Sequence, residues 1–210
     1  MGVNIGFQFF KKNGDTLPES GFTDYGDSLF ESPIFEPVIR WEQIEITTHN
    51  TDAMIYSESY FKLLELKFKI QKEDLDFFFF ENCYNESDKP KMYSVDEVID
   101  KFNKYISIFD TEDFLGTSVK DKNTNKLVSH FAQNYPFSEI GDTSENLANK
   151  EYRMNYLHKL RTENFYLENN KKIEVVFVEE TTLKAYKNII DDFSACLEEH
   201  RGYYMAGTWW

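Results

Sequence analysis

The sequence predicts an α+β fold in which a mainly antiparallel sheet of about four to five strands packs against three or more helices. Three observations support this prediction: an alternating segment that runs directly into a helical one near residue 180, further alternating segments near the N-terminus, and two capping boxes that open helices. At 210 residues the chain fits a single domain over residues 1–210, with a long acidic and aromatic loop at residues 15–37.

Residues 172–200 contain the clearest strand and the clearest helix of the sequence. Over residues 172–178 the apolar side chains alternate at a period of two, which indicates a strand with one buried face. Thr181 or Thr182 can then cap a helix whose apolar side chains recur three and four residues apart. Gly202 follows its last turn and is a helix stop signal. The two elements specify a core but no chemistry.

Four other segments are predicted to form strands. Residues 3–10 alternate and lead into an Asn-Gly turn signal, and residues 38–47 and 62–70 also have extended patterns. The aromatic residues 203–209 are expected to form a terminal strand in the same sheet. No helix-length connector separates the first two strands, which favours antiparallel pairing. Within residues 62–70, the side chains predicted to point inward are those of Leu64, Leu66, Phe68 and Ile70.

Two capping boxes predict the helices that precede the final strand and helix. The first opens a helix over residues 94–109, and the second opens a longer helix over residues 142–161. Residues 72–84 also favour a helix, because acidic residues precede an apolar run. Between these helices, residues 116–125 are polar and turn-rich, and residues 126–134 are predicted to form a short helix.

Aromatic side chains must form much of the core or of an interface. They make up 17% of the residues, with 20 Phe and 13 Tyr. The sequence leaves open which of these two roles belongs to residues 77–80 and to residues 209–210. The two cysteines, Cys83 and Cys196, fit reduced core thiols better than a disulfide.

The charge of the chain indicates which partners it favours. With 37 acidic and 23 basic residues the net charge is −14, which opposes direct binding to nucleic acid and adsorption to an anionic membrane, and favours a basic protein. The chain has no run of 18 apolar residues and no signal-peptide pattern at its N-terminus. We therefore expect a cytoplasmic protein without a membrane span, whose oligomeric state the sequence does not indicate.

The sequence contains no motif for catalysis or for metal or cofactor binding. The four histidines, at positions 49, 130, 158 and 200, form no HExxH or paired metal spacing, and Cys-x-x-Cys and glycine-rich phosphate loops are absent. We therefore predict no catalytic residue, no metal site and no cofactor. His130 and the adjacent Ser129 are only a weak candidate for a base and its nucleophile, because catalytic triads are assembled from distant segments. The alternative is a hydrolase or metal-dependent enzyme whose carboxylate and histidine meet only in the fold.

The acidic and aromatic segment at residues 15–37 is the main candidate for function. No Lys or Arg occurs from residue 13 to residue 39, and aromatic residues are interspersed among the carboxylates. One interpretation is a surface loop whose aromatic rings pack back onto the core. The other is a recognition surface, in which the rings provide contact area and the carboxylates attract a cationic partner. The candidate partner-binding residues are Asp24, Tyr25, Asp27, Phe30, Glu31 and Phe35.

These observations favour a non-enzymatic acidic binding protein. We expect an inhibitor or immunity-type protein that neutralises a basic partner, such as a toxin or a nucleic-acid-binding enzyme. In its acidic, compact, motif-free character the chain is similar to bacterial immunity proteins as a broad class, although it matches no residue motif of a family. A third possibility is a structural subunit whose aromatic surfaces form an obligate oligomer.

Overall fold

The structure, a computed structural model, is described for residues 5–23, 32, 34–35, 38, 60–79, 91–132 and 144–209. The chain divides into two compact units, where the sequence suggested one domain. Unit 1 comprises Met1–Ile106 and Lys187–Trp210, and unit 2 comprises Ser107–Tyr186. Each unit contains an antiparallel sheet together with helices, which confirms the α+β class.

The regular elements are numbered in chain order through both units. The strands are β1 (Ile5–Phe10), β2 (Thr16–Thr23), β3 (Tyr93–Ser94), β4 (Leu115–Asp121), β5 (Leu127–Ala132), β6 (Phe165–Glu168), β7 (Lys171–Thr181) and β8 (Tyr204–Trp209). The helices are α1 (Val95–Ser107), α2 (Ser144–Glu163), α3 (Thr182–Ala185) and α4 (Lys187–Glu199). Short 3-10 turns at Lys72–Asp74 and Asp76–Phe78 stand where a helix over residues 72–84 was predicted.

The sheet of unit 1 has the strand order β2-β1-β8-β3 in the described residues. β1 and β8 are antiparallel neighbours, with Ile5 opposite Trp209 and Phe10 opposite Tyr204. The strands predicted at residues 3–10 and 203–209 are therefore confirmed. β2 lies within the predicted loop at residues 15–37, so that prediction is wrong for residues 16–23. The strand predicted at residues 38–47 lies outside the described residues except for Val38, which is buried.

Aromatic rings form the core of unit 1 between its sheet and the helices α1 and α4. Phe78 lies at its centre, fully buried, with five rings at centroid distances of 4.2–6.2 Å. Phe77 and Phe79 are buried beside it. These three residues of the 77–80 run are therefore core residues, and Phe80 lies outside the described part of the chain. The rings around Phe78 are those of Phe7, Phe35, Phe77, Phe102 and Phe193.

The prediction of a strand over residues 62–70 is wrong. The backbone is helical from residue 60 and forms a π-helix over Leu64–Phe68. Tyr60 and Leu64, one turn apart, are buried, whereas Leu66 is 60% exposed. A helical face is buried here, and the alternation of apolar residues in the sequence coincides with only part of that face.

Two tyrosine hydroxyls connect the core of unit 1 to the segment around Ile34. Tyr60 and Tyr105 are both fully buried. Tyr105 donates a hydrogen bond to the carbonyl oxygen of Ile34 and accepts one from the hydroxyl of Tyr60. Tyr105 therefore holds the C-terminal part of the acidic segment, at Ile34, against α1.

We expect Tyr105→Phe to lower the free energy of unfolding by about 1–3 kcal/mol, because a buried carbonyl loses its donor and Tyr60 loses this acceptor. Urea unfolding measures the change. Tyr60→Phe is the matched control, since it leaves the bond from Tyr105 to Ile34 in place and should cost less. Equal losses for both variants would contradict the assignment of Tyr105 as the central hydroxyl.

Unit 2 is a sheet with the strand order β5-β4-β7-β6, and α2 packs against one of its faces. A buried apolar cluster joins the sheet to the helix. β6 and β7 are joined by Asn169 and Asn170, both with positive φ (48° and 63°), as a tight hairpin turn requires. The members of the buried cluster are Val119, Phe131, Leu157, Leu160 and Val175.

Two predictions for unit 2 are wrong and two are confirmed. The segments expected to be turn-rich (residues 116–125) and helical (residues 126–134) form the hairpin of β4 and β5. The predicted strand at residues 172–178 and the helix at residues 142–161 correspond to β7 and α2. The helix predicted to follow β7 is present but is divided at Tyr186 into α3 and α4.

Candidate functional site

Of the six predicted partner-binding residues, the structure describes Phe35. Its ring is fully buried, 4.7 Å from the ring of Phe78 and 5.9 Å from that of Phe102. Phe35 is therefore part of the core, as the first interpretation of the segment expected for its aromatic rings. The other five lie outside the described residues, and their role stays a prediction. They are Asp24, Tyr25, Asp27, Phe30 and Glu31.

The acidic segment is anchored in unit 1 at both ends. Near its start it contains β2, which ends at Thr23 and pairs with β1. Near its end, Ser32, Ile34 and Phe35 are all buried, and the Phe35 amide donates to the Ser32 carbonyl at 3.1 Å. Residues 24–31 therefore lie between a strand of the sheet and buried residues of unit 1.

Negative charge is concentrated in the same unit. Unit 1 contains 24 acidic and 13 basic residues, a net charge of −11, whereas unit 2 contains 13 acidic and 10 basic residues, a net charge of −3. Together these account for the −14 of the whole chain. The electrostatic attraction for a cationic partner therefore comes mainly from unit 1.

The hairpin of unit 2 brings together the histidine and hydroxyl groups that most resemble a catalytic site. Ser118 on β4 is paired with His130 on β5, and the Ser118 Oγ lies 2.9 Å from His130 Nδ1. His130 Nε2 lies 3.1 Å from the Thr182 hydroxyl at the start of α3. That hydroxyl donates its hydrogen to the Phe114 carbonyl at 3.0 Å. We call Ser118, His130, Thr182 and the Phe114 carbonyl the His130 cluster.

The donors of the cluster define the tautomer of the imidazole. Since the Thr182 hydroxyl hydrogen is used by Phe114, Thr182 must accept the hydrogen of His130 Nε2. In the neutral imidazole, Nδ1 then carries no hydrogen and accepts from Ser118. The neutral form of His130 therefore has its proton on Nε2. The pKa of His130 is lowered to about 4, mainly by burial and also by the charge of Lys120, against the opposing effect of Glu180 and Glu179.

The carboxylates near the cluster are paired with cations. Glu180 lies 2.6 Å from Lys120 Nζ, and both side chains are largely buried. Glu179 accepts from Thr117 at 2.6 Å and from Arg161 at 3.2 Å. The Glu180–Lys120 pair and the contacts of Glu179 lie on opposite faces of the sheet, because Glu179 and Glu180 are adjacent on β7 and adjacent side chains in a strand point to opposite faces.

The cluster lacks an accessible nucleophile. Ser118 is fully buried, so its hydroxyl cannot meet a substrate without a change in the structure. Ser129, the neighbour suggested by the sequence, is paired with Val119, whereas His130 is paired with Ser118. The register of the β4-β5 hairpin determines this pairing, and no local sequence motif indicates that register. An enzyme site that uses residues outside those described stays a prediction.

Cys196 and His200 form a second polar contact, at the end of α4. His200 stacks on Phe9 at 3.8 Å and donates from Nδ1 to the Cys196 carbonyl at 2.7 Å. Burial raises the pKa of the Cys196 thiol to about 11, so it stays protonated and unreactive at neutral pH. Among the residues with described positions, no group of three possible ligands could hold a metal ion.

Comparison with family models, with curated proteins and with solved structures finds no match. Within the described ranges, none of the helices combines the length and apolar composition needed to cross a bilayer. A proposal for the function of this chain therefore depends on its charge distribution and on the anchoring of the acidic segment, and not on resemblance to a known protein.

Proposed function

We propose that this chain is a non-enzymatic binding protein of the inhibitor or immunity type, which neutralises a basic protein through the acidic segment of unit 1. The observation that supports the proposal is the concentration of charge: unit 1 has a net charge of −11, and its residues 13–39 contain no cation. An excess of one charge raises the encounter rate with an oppositely charged partner.

The anchoring of the segment favours recognition over a solvated linker. Its buried residues Ile34 and Phe35 fix its C-terminal part, and β2 fixes its N-terminal part. A segment held at both ends loses less conformational entropy on binding than a free tail does. We therefore expect the acidic segment to bind a partner at a smaller ordering cost than a free tail would.

The experiment compares three forms of the full chain as bait for native lysate. The first is the wild type, and the second carries Asp24→Lys, Asp27→Lys and Glu31→Lys. The third carries three substitutions of exposed residues elsewhere in unit 1. Each variant changes the net charge by six, from −14 to −8, so both have the same overall charge. The substitutions of the third form are Asp100→Lys, Asp192→Lys and Glu199→Lys.

We expect a basic protein to be retained by the wild type and the third form at low salt and released at high salt. With that protein purified, the second form should associate roughly 10- to 100-fold more slowly, with a smaller effect on dissociation. If both variants associate equally slowly, only net charge matters and the segment is not the site. Retention of no basic protein by the wild type would overturn the proposal.

A further inference from the structure

β6 is an edge strand that lacks the features which usually protect an edge. In the part of the chain that the structure describes, β7 is its only strand neighbour. At two other sheet edges, the pairing of β2 and that of β5 each contain a register shift, and β2 also contains Pro18. Such irregularities and prolines hinder the addition of a further strand. The pairing of β6 is regular along its whole length, so its edge can accept another strand.

The backbone of β6 presents two residues to the open edge. The Val175 amide donates to the Asn164 carbonyl at 3.3 Å, so these two residues face each other across the hairpin. Hydrogen-bonded and non-hydrogen-bonded pairs alternate along an antiparallel ladder. Tyr166 is therefore hydrogen-bonded to β7, whereas the N–H and C=O groups of Phe165 and Leu167 point away from β7 and towards the edge.

The side chains at this edge are apolar, and the surrounding charges cancel. Leu167 is 62% exposed, and the ring centroid of the half-buried Phe165 lies 4.1 Å from Lys172 Nζ. Residues 165–176 contain two lysines and two glutamates, which sum to zero, whereas unit 1 has a net charge of −11. Two copies therefore repel each other through unit 1 but meet little repulsion at β6. This charge balance favours a second copy over a strongly charged partner at the edge.

A second copy fits this edge in one symmetric register. With a two-fold axis at Tyr166, Phe165 of each copy lies opposite Leu167 of the other. Both of these pairs have outward-facing backbone groups, and each therefore forms two hydrogen bonds. An axis at Phe165 would bring the end of α2 at Glu163 into the pairing, and an axis at Leu167 would bring in Asn169, which has positive φ. Each of these alternatives leaves a single hydrogen-bonded pair, so the register centred on Tyr166 is preferred.

The same register matches the side chains across the two copies. Phe165 and Leu167 lie on the sheet face opposite α2, because Tyr166 between them packs against the buried cluster that joins the sheet to α2. Opposite Phe165 on β7 is Glu174, and opposite Leu167 is Lys172. Each apolar pair between the copies therefore has a glutamate on one side and a lysine on the other, so no like charges meet.

We propose that the chain forms a symmetric dimer through β6, which joins the unit 2 sheets of two copies into one continuous antiparallel sheet. A strand of four residues buries less area than the interface of a stable complex, so the dimer should be weak. We expect a dissociation constant of roughly 10–100 µM. The interface contains no residue of the acidic segment and its test needs no basic partner, so its failure would leave the proposed function unaffected.

Sedimentation velocity of the full chain, from micromolar to millimolar concentration, measures the dimer. Leu167→Lys should raise the dissociation constant at least about 10-fold, because it places a second ammonium beside Lys172 and a charge against the partner's Phe165. Leu66→Lys is the matched control, since Leu66 is 60% exposed in unit 1 and the substitution makes the same change in charge. This control should dimerise as the wild type does.

Hydrogen exchange at both ends of this concentration range locates the interface without any substitution. The Phe165 and Leu167 amides should gain protection in the dimer, whereas the Tyr166 amide, which is bonded to β7, should change little. A wild-type chain that stays monomeric at millimolar concentration would overturn the proposal. So would a dimer in which the Phe165 and Leu167 amides gain no protection, or one that Leu167→Lys and Leu66→Lys weaken equally.

Discussion

Phe78→Ala is expected to lower the free energy of unfolding by about 3–5 kcal/mol, because it removes a fully buried ring and leaves a cavity. Phe78 contacts five other rings and lies between β1 and the helices α1 and α4. Four of these neighbours belong to four different parts of the chain and the fifth is the adjacent Phe77, so they cannot all move into the space. Urea unfolding, followed by near-ultraviolet circular dichroism, measures the loss.

Leu66→Ala is the matched control for Phe78→Ala. It removes an apolar side chain of the same unit that is 60% exposed. Its cost should stay within about 0.5 kcal/mol, as for other surface substitutions. The control also tests the local fold, since the strand predicted over residues 62–70 would bury Leu66. A loss for Leu66→Ala as large as that for Phe78→Ala would contradict the helical structure of this segment.

The second large effect is expected from Lys120→Met. Lys120 and Glu180 pair at 2.6 Å with only 14% and 12% of their side chains exposed. Removing the ammonium leaves a largely buried carboxylate without its cation, which should cost about 3 kcal/mol. The double variant with Glu180→Met should recover most of this loss, because it removes the unpaired charge as well.

Lys122→Met is the matched control for Lys120→Met. Lys122, just after β4, pairs with Glu174 on β7 at 3.0 Å, but these side chains are 58% and 64% exposed. Solvent screens such pairs, and the expected loss is much smaller than that for Lys120→Met. Equal losses for the two lysine variants would mean that burial does not distinguish the two pairs.

The sequence predicted best where burial follows a local period. The strand at residues 172–178 and the helices from residues 94 and 142 all have such a period or a capping box, and each is present. Around residue 66 two periods compete. Tyr60 and Leu64 have helical spacing, and the alternation that starts at Leu64 hides it.

The polar strand β4 could not be recognised from local pattern. Thr117 and Ser118 are buried because Glu179 and His130, 62 and 12 residues away, accept their hydrogen bonds. A polar residue with a distant partner has the same local signature as a residue in a loop. For the same reason the sequence did not indicate that Ser118 is the neighbour of His130 in the sheet. The acidic segment could be recognised without knowledge of any distant contact, because it is identified by its amino-acid composition.

The position of β8 has a consequence for synthesis on the ribosome. β8 lies between β1 and β3, yet it follows all of unit 2 in the chain. At about 5–20 residues per second, β1 waits roughly 10–40 s for its neighbour. Unit 2 is one continuous stretch of the chain and can fold during this interval. Until β8 has been synthesised, the sheet of unit 1 is incomplete, and chaperones can bind its phenylalanines. The unit that bears the acidic segment can therefore complete its sheet only after all of unit 2 has been synthesised.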